Sequence, residues 1–81
     1  MDLTIYILTH ICQDCQYEPQ VFLSKAEATQ AMLDKYTALK EATFKQWAAY
    51  SSEWAKIIYQ DQSFDEFEIY TINIHDNRIK V

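Results

Sequence analysis

Eighty-one residues suffice for one small domain, and 49% hydrophobic with 15% aromatic content is too apolar for a disordered segment. Twelve acidic side chains against seven basic ones leave a net charge of −5, which argues against a nucleic-acid binder that works by neutralising phosphates. The chain contains no glycine, so phosphate-cradling loops, dinucleotide fingerprints and nucleophile elbows, which need free φ or close backbone approach, cannot be built from it.

Residues 3–9 read as the first strand, with Leu3, Ile5 and Ile7 on one side and Thr4, Tyr6 and Leu8 on the other. Both rows are partly apolar, which places the strand inside its sheet. The same opening, MDLTIYILTH, lacks the basic region and cleavage site of an export signal. With two cysteines and no apolar run near the ~20 residues of a membrane span, the expectation is a cytoplasmic protein with reduced thiols. Residues 10–16, HICQDCQ, make the first reversal, and residues 17–23 the second strand. Pro19 cannot donate to a ladder and marks that strand as an edge.

Ser24 opens a capping box, SKAE, in which the Ser24 hydroxyl and the Glu27 carboxylate each satisfy an amide at a helix start. From Lys25 to about Tyr59 neither glycine nor proline interrupts a run of good helix formers. At about 100° per residue, Met32, Tyr36, Leu39, Tyr50, Trp54 and Ile57 point one way, and Glu41 with Lys45 makes a favourable i, i+4 pair across EATF. One helix of that length would run about 52 Å, whereas a seven-residue strand covers about 23 Å. Either the helix breaks, at Ala42–Thr43 or Ser51–Ser52, or its second half packs on another subunit. The wide apolar arc of Phe44, Trp47, Tyr50, Trp54, Ile57 and Ile58 favours two nearly continuous helical segments in a homodimer.

After QDQS, residues 66–74 form the last main strand, with Tyr70, Ile72 and Ile74 in one row and Phe67 and Ile69 in the other. The row of Tyr6, Leu8, Phe67 and Ile69 is where the sheet's second face would leave an apolar patch too large to stay wet. Asp76–Asn77 signals a tight turn, after which residues 78–81 pair back as a short last strand. The expected fold is α+β, a small antiparallel sheet in the order β-β-α-α-β packed on one long or two near-continuous helices.

Cys12 and Cys15, with His10 just upstream, are the densest group of metal-ligating side chains. Structural zinc needs four ligands, and the fourth here is the distant His75, which reaches the cysteines only if the helices fold back as a hairpin. A redox dithiol is the second reading, opposed by Asp14 between the cysteines and by a loop where thioredoxin-like chemistry needs a helix start. The plain reading is two reduced cysteines in a turn. Ser51, Ser52 and Ser63 have no base ordered beside them, so no enzyme is expected. Asp61, Asp65, Glu66 and Glu68 crowd into DQSFDEFE, either a solvated loop or an acidic patch that meets a basic surface. Trp47, Tyr50 and Trp54, at i, i+3 and i+7, are either core or rigid aromatic anchors for a partner.

The order IYILT, hairpin, VFLSKAEATQAMLDKY and FEIYTINI resembles short phage and bacterial proteins in which a β-hairpin leads through a serine-capped helix to a returning strand. The resemblance spans residues 3–39 and 66–74, carries no catalytic residue, and omits the aromatic segment 44–59. Small acidic proteins of mobile elements, anti-CRISPR and other anti-defence inhibitors among them, often act by occluding a host protein. The implied function is a non-catalytic protein-binding module. It would be a stoichiometric inhibitor of a nucleic-acid-handling protein, using Asp61, Asp65, Glu66, Glu68, Trp47, Tyr50 and Trp54, with no cofactor. The rival is a small metal- or redox-responsive module, built on Cys12, Cys15 and His10 and holding zinc in its metal version.

Overall fold

Residues 2–42 and 45–75 are described by the computed structural model. They form β1 (Asp2–Cys12), β2 (Gln20–Phe22), α1 (Lys25–Ala42), β3 (Lys45–Tyr50), β4 (Trp54–Tyr59) and β5 (Phe64–His75). All strand pairs are antiparallel, in one sheet ordered β2-β1-β5-β4-β3. β1 lies inside the sheet, as its two apolar rows predict, and β2 lies at its edge, but β2 covers only Gln20–Phe22 of the expected 17–23, so that Pro19 precedes the strand and does not lie within it.

The expected second helical segment is a β-hairpin, and the sheet packed on two helices is corrected to five strands carrying one helix. Period two wins over residues 45–59. Ala48 and Tyr50 of β3 align with Ala55, Ile57 and Tyr59 of β4 on the side that meets α1, while Trp47, Trp54, Lys56 and Ile58 take the other side. Tryptophan, tyrosine and isoleucine favour a pleated, half-buried surface. A hairpin also removes the misfit of a long apolar stripe over a short sheet, because it widens the sheet instead of overrunning it. Ser51–Ser52, weighed as a helix break, is the hairpin turn, closed by Ser51 N–H donating to the Trp54 carbonyl at 2.7 Å. α1 stops at Ala42 after 18 residues, about 27 Å and close to the strand length beneath it.

Ser24 caps α1 as its position predicts, its hydroxyl accepting from the Glu27 amide at 3.4 Å. The Thr29 hydroxyl donates to the Ser52 carbonyl at 2.9 Å, tying the helix start to the β3–β4 turn. The core is the seam between α1 and one sheet face. Ala28, Met32 and Tyr36 from the helix meet Leu8, Ala55, Ile57, Phe67 and Ile69 from the sheet, all buried. Removing a side chain the size of Phe67 or Leu8 from water contributes roughly 1.5–3 kcal/mol each.

This seam reverses the expected assignment of faces. Tyr6, Leu8, Phe67 and Ile69 lie against α1, and the other row faces away from it: Leu3, Ile5 and Ile7 of β1 with Tyr70, Ile72 and Ile74 of β5. Both rows of β1 are apolar, so the strand pattern is equally compatible with either. α1 covers only one.

A glycine-free chain must still turn. Between β4 and β5, Gln62 takes φ 76°, the left-handed region. Tyr59 N–H donates to the Ser63 carbonyl at 2.9 Å and Gln62 N–H to the Tyr59 carbonyl at 3.0 Å. This is the three-residue hairpin whose last position normally holds glycine. The Asp76–Asn77 turn and the strand over 78–81 lie outside the described residues.

Candidate functional site

The face turned away from α1 is ordered in rows across the strands. At one end Val21, Ile7 and Tyr70 stand side by side, followed by Ile5 with Ile72 and Leu3 with Ile74. Leu3, Val21, Tyr70 and Ile72 are exposed by 38% to 61%, a large fraction for side chains of this size. In the middle come Thr9, Glu68 and Trp54, then Ile11, Glu66, Lys56 and Ala49. The far end holds Phe64, Ile58 and Trp47. Trp47 and Trp54 are 47% and 41% exposed. The Lys56 ammonium lies 5.3 Å from the centre of the Phe64 ring, a cation–π contact. Tyr70's phenol is held above its ordinary pKa, first by the charge of Glu68 beside it.

β1 and β5 outrun their neighbours. β2 pairs with β1 only from Tyr6 to Leu8, and β4 with β5 only from Phe64 to Glu68. Residues 2–5 and 72–75 therefore extend as a two-stranded ribbon. Its α1 side is polar, the Thr4 hydroxyl donating to Asn73 Oδ1 at 2.9 Å, while its other side carries Leu3, Ile5, Ile72 and Ile74.

On the α1 side, His10 is sandwiched between the rings of Tyr17 and Phe67, with centroids 4.3 Å and 4.1 Å away. Its Nε2 lies 2.7 Å from Asp65 Oδ1, and the Tyr59 hydroxyl donates to Asp65 Oδ2 at 2.6 Å. One carboxylate thus joins side chains from β1, β4 and β5. Cys12 stands opposite Asp65 in the β1–β5 ladder and is disulfide-bonded to Cys15, Cα to Cα 5.2 Å. The small loop is pinned by Cys12 N–H on the Cys15 carbonyl at 2.9 Å and Tyr17 N–H on the His10 carbonyl at 3.0 Å. His10 and Tyr17 face Lys35, Ala38 and Leu39 of α1 across a shallow groove of about 330 Å³.

The sequence-predicted residues are divided among these places. Cys12, Cys15 and His10 are neighbours, as their spacing requires, but both sulfurs are in the disulfide and His10 Nε2 is on Asp65. Among the described residues no group of three or more histidine, cysteine or acidic side chains is arranged to hold a metal ion. His75 pairs with Asp2, ten positions along the ladder from the Cys12–Asp65 pair, a separation of about 34 Å. The acidic run splits three ways. Asp65 is the clamp on His10 and Tyr59. Asp61 accepts from the Ser63 hydroxyl and amide within its turn, and those bonds, the hydroxyl's first, lower its pKa. Glu66 and Glu68 alone reach the open face. Of the aromatic trio, Trp47 and Trp54 share that face, whereas Tyr50 lies on the α1 side with its ring 5.2 Å from that of Tyr36.

Sequence reasoning missed the partners of His10 and the apolar ribbon. A signal for the ribbon exists in the two apolar rows of residues 3–9, since a single amphipathic helix can bury only one. Compared with protein-family models, curated proteins and solved structures, the chain matches none. Among the described residues no helix is long and apolar enough to cross a membrane.

Proposed function

We propose that this chain is a non-catalytic protein-binding module whose target-binding surface is the Trp47–Trp54 end of the open sheet face. The observation that carries this reading is the pair of half-exposed indoles on a rigid sheet, with Glu66 and Glu68 beside them. Tryptophan is enriched among the residues that dominate binding energy, and two carboxylates at the edge of an apolar surface favour a target with basic side chains around an apolar contact. An inhibitor of a nucleic-acid-handling protein, as the phage resemblance implies, would use Trp47, Trp54, Glu66 and Glu68. Asp65 drops out because it is held by His10 and Tyr59, and exposed Tyr50 and Asp61 lie off this surface, on the α1 side and in the β4–β5 turn.

A photo-reactive residue in place of Lys56, between the indoles and Glu66, is expected to cross-link a polypeptide other than this chain in extract of the cells that make it. Reversing Glu66 and Glu68 to lysine should abolish that product. Cross-linking no greater than from exposed Asp34 on α1, or a product untouched by the double reversal, overturns the reading.

A redox-responsive module is the second reading, supported by the Cys12–Cys15 bond at the root of the loop that stacks Tyr17 on His10. In the cytoplasm, where thiols are held reduced, that bond would open and the loop would loosen.

A further inference from the structure

We propose that the ribbon end of the open face is the contact between two copies of this chain, packed sheet on sheet about a two-fold axis that crosses the strands at the level of Ile5 and Ile72, so that the rest of each sheet extends away from the contact. This goes beyond the target-binding reading and uses a different part of the face. Three observations carry it.

The first is charge. Each copy bears a net charge of −5, so two copies approach most easily where neither presents a charge. The rows of Leu3 with Ile74, Ile5 with Ile72, and Val21 with Ile7 and Tyr70 contain none. Glu68, beside Tyr70, borders these rows, and Glu66 lies further toward the other end of β5. A basic target would gain nothing from the ribbon, whereas a second acidic copy meets no repulsion there.

The second is self-complementarity. An axis at that level sets Ile5 against Ile5 of the partner subunit, Ile72 against Ile72 of the partner subunit, Leu3 against Ile7 of the partner subunit and Ile74 against Tyr70 of the partner subunit, and leaves Trp54 and Glu66 beyond the contact. Such an isologous contact matches apolar side chains of similar length across sheets ~10 Å apart.

The third is area and stability. Four side chains exposed by 38% to 61%, with half-buried Ile5, Ile7 and Ile74, offer at most about 500 Å² per copy, which brings the pair to the ~1,000 Å² lower bound of a specific interface. A two-stranded ribbon by itself is marginal in water. Stacking two of them gives each a covered apolar face.

Sedimentation of the purified chain across low to high micromolar concentration tests this. The expected result is a shift from 9.6 kDa to twice that mass, which Ile72→Lys prevents by raising the dissociation constant roughly thirtyfold or more. Val21→Lys, at the most exposed position of the contact, should do the same without threatening the fold, and Trp54→Lys should leave the dimer intact. A monomer at every concentration overturns the proposal, as does a dimer that survives Val21→Lys or is broken by Trp54→Lys. None of these results bears on the cross-link from position 56, which reads the target surface separately.

Discussion

Replacing Gln62 with glycine tests how this chain makes a left-handed turn without glycine. A residue with a Cβ at φ 76° gives up about 1–2 kcal/mol relative to right-handed backbone. Glycine removes that cost but adds unfolded-state freedom, which takes back about 0.5–1 kcal/mol. Gln62 is exposed, so little packing is lost with its side chain. The net gain is about 0.5–1 kcal/mol, and a domain of this size shifts by about 4–8 °C for each kcal/mol. Melting followed by circular dichroism, at one fixed protein concentration because association would raise the midpoint, should show a rise of about 3–6 °C. Gln62→Asn should give part of the gain, since asparagine tolerates the left-handed region, and Gln62→Val should lower the midpoint. An unchanged or lower Tm for the glycine variant would refute the argument that the turn carries a conformational cost.

Asp65→Ala removes the acceptor of both His10 and Tyr59 and should destabilise by about 2–4 kcal/mol in denaturant titration, since each orphaned donor costs about 1–3 kcal/mol; a loss below half a kcal/mol would deny the clamp any structural role. Cys12→Ser with Cys15→Ser opens a very short loop and should lower stability by about 1.5–2 kcal/mol relative to the oxidised protein, and an unchanged midpoint would rule this out. Burial first, and the neighbouring Tyr50 second, raise the pKa of Tyr36 above the ordinary phenol value. The folded protein therefore keeps that proton to higher pH than the unfolded chain does. Stability is intact below the ordinary phenol pKa of about 10 and falls as pH rises through the raised value; Tyr36→Phe should flatten that alkaline decline, and an identical decline in the variant would count against it.

Several elements were legible because one local rule dominated each. The alternation of residues 3–9 marks β1, Pro19 marks an edge, SKAE marks a helix start, and Tyr70, Ile72 and Ile74 mark β5. The segment 45–59 was not legible. Ala48, Ala49, Ala55 and Lys56 are good helix formers, no glycine or proline interrupts them, and apolar residues on both faces fit a period of 3.6 as well as one of 2. Only competition for cover decides between them, and that belongs to the whole fold. The choice of the inward row of β1 failed for the same reason. The Cys12–Cys15 pair was legible as a cluster, yet its setting was not. The contact of His10 with Asp65 crosses 55 positions of sequence and exists only once the register of β1 on β5 is set. The acidic run misled because proximity in sequence says nothing about side, and in a strand Asp65 and Glu66 necessarily part company.

The central pairing of β1 with β5 also sets the order in which the protein can be made. β1 is synthesised before the other described strands and is flanked soon after by β2 on one side, but its other neighbour is the last strand of the described chain. Until β5 emerges from the ribosome, β1 holds one unpaired edge and two apolar rows with neither face fully sheltered. The β3–β4 hairpin, local in sequence, can form early but has no place to dock before β5 arrives between it and β1. Folding should therefore be slow for so small a domain, because its longest ladder joins the most distant strands.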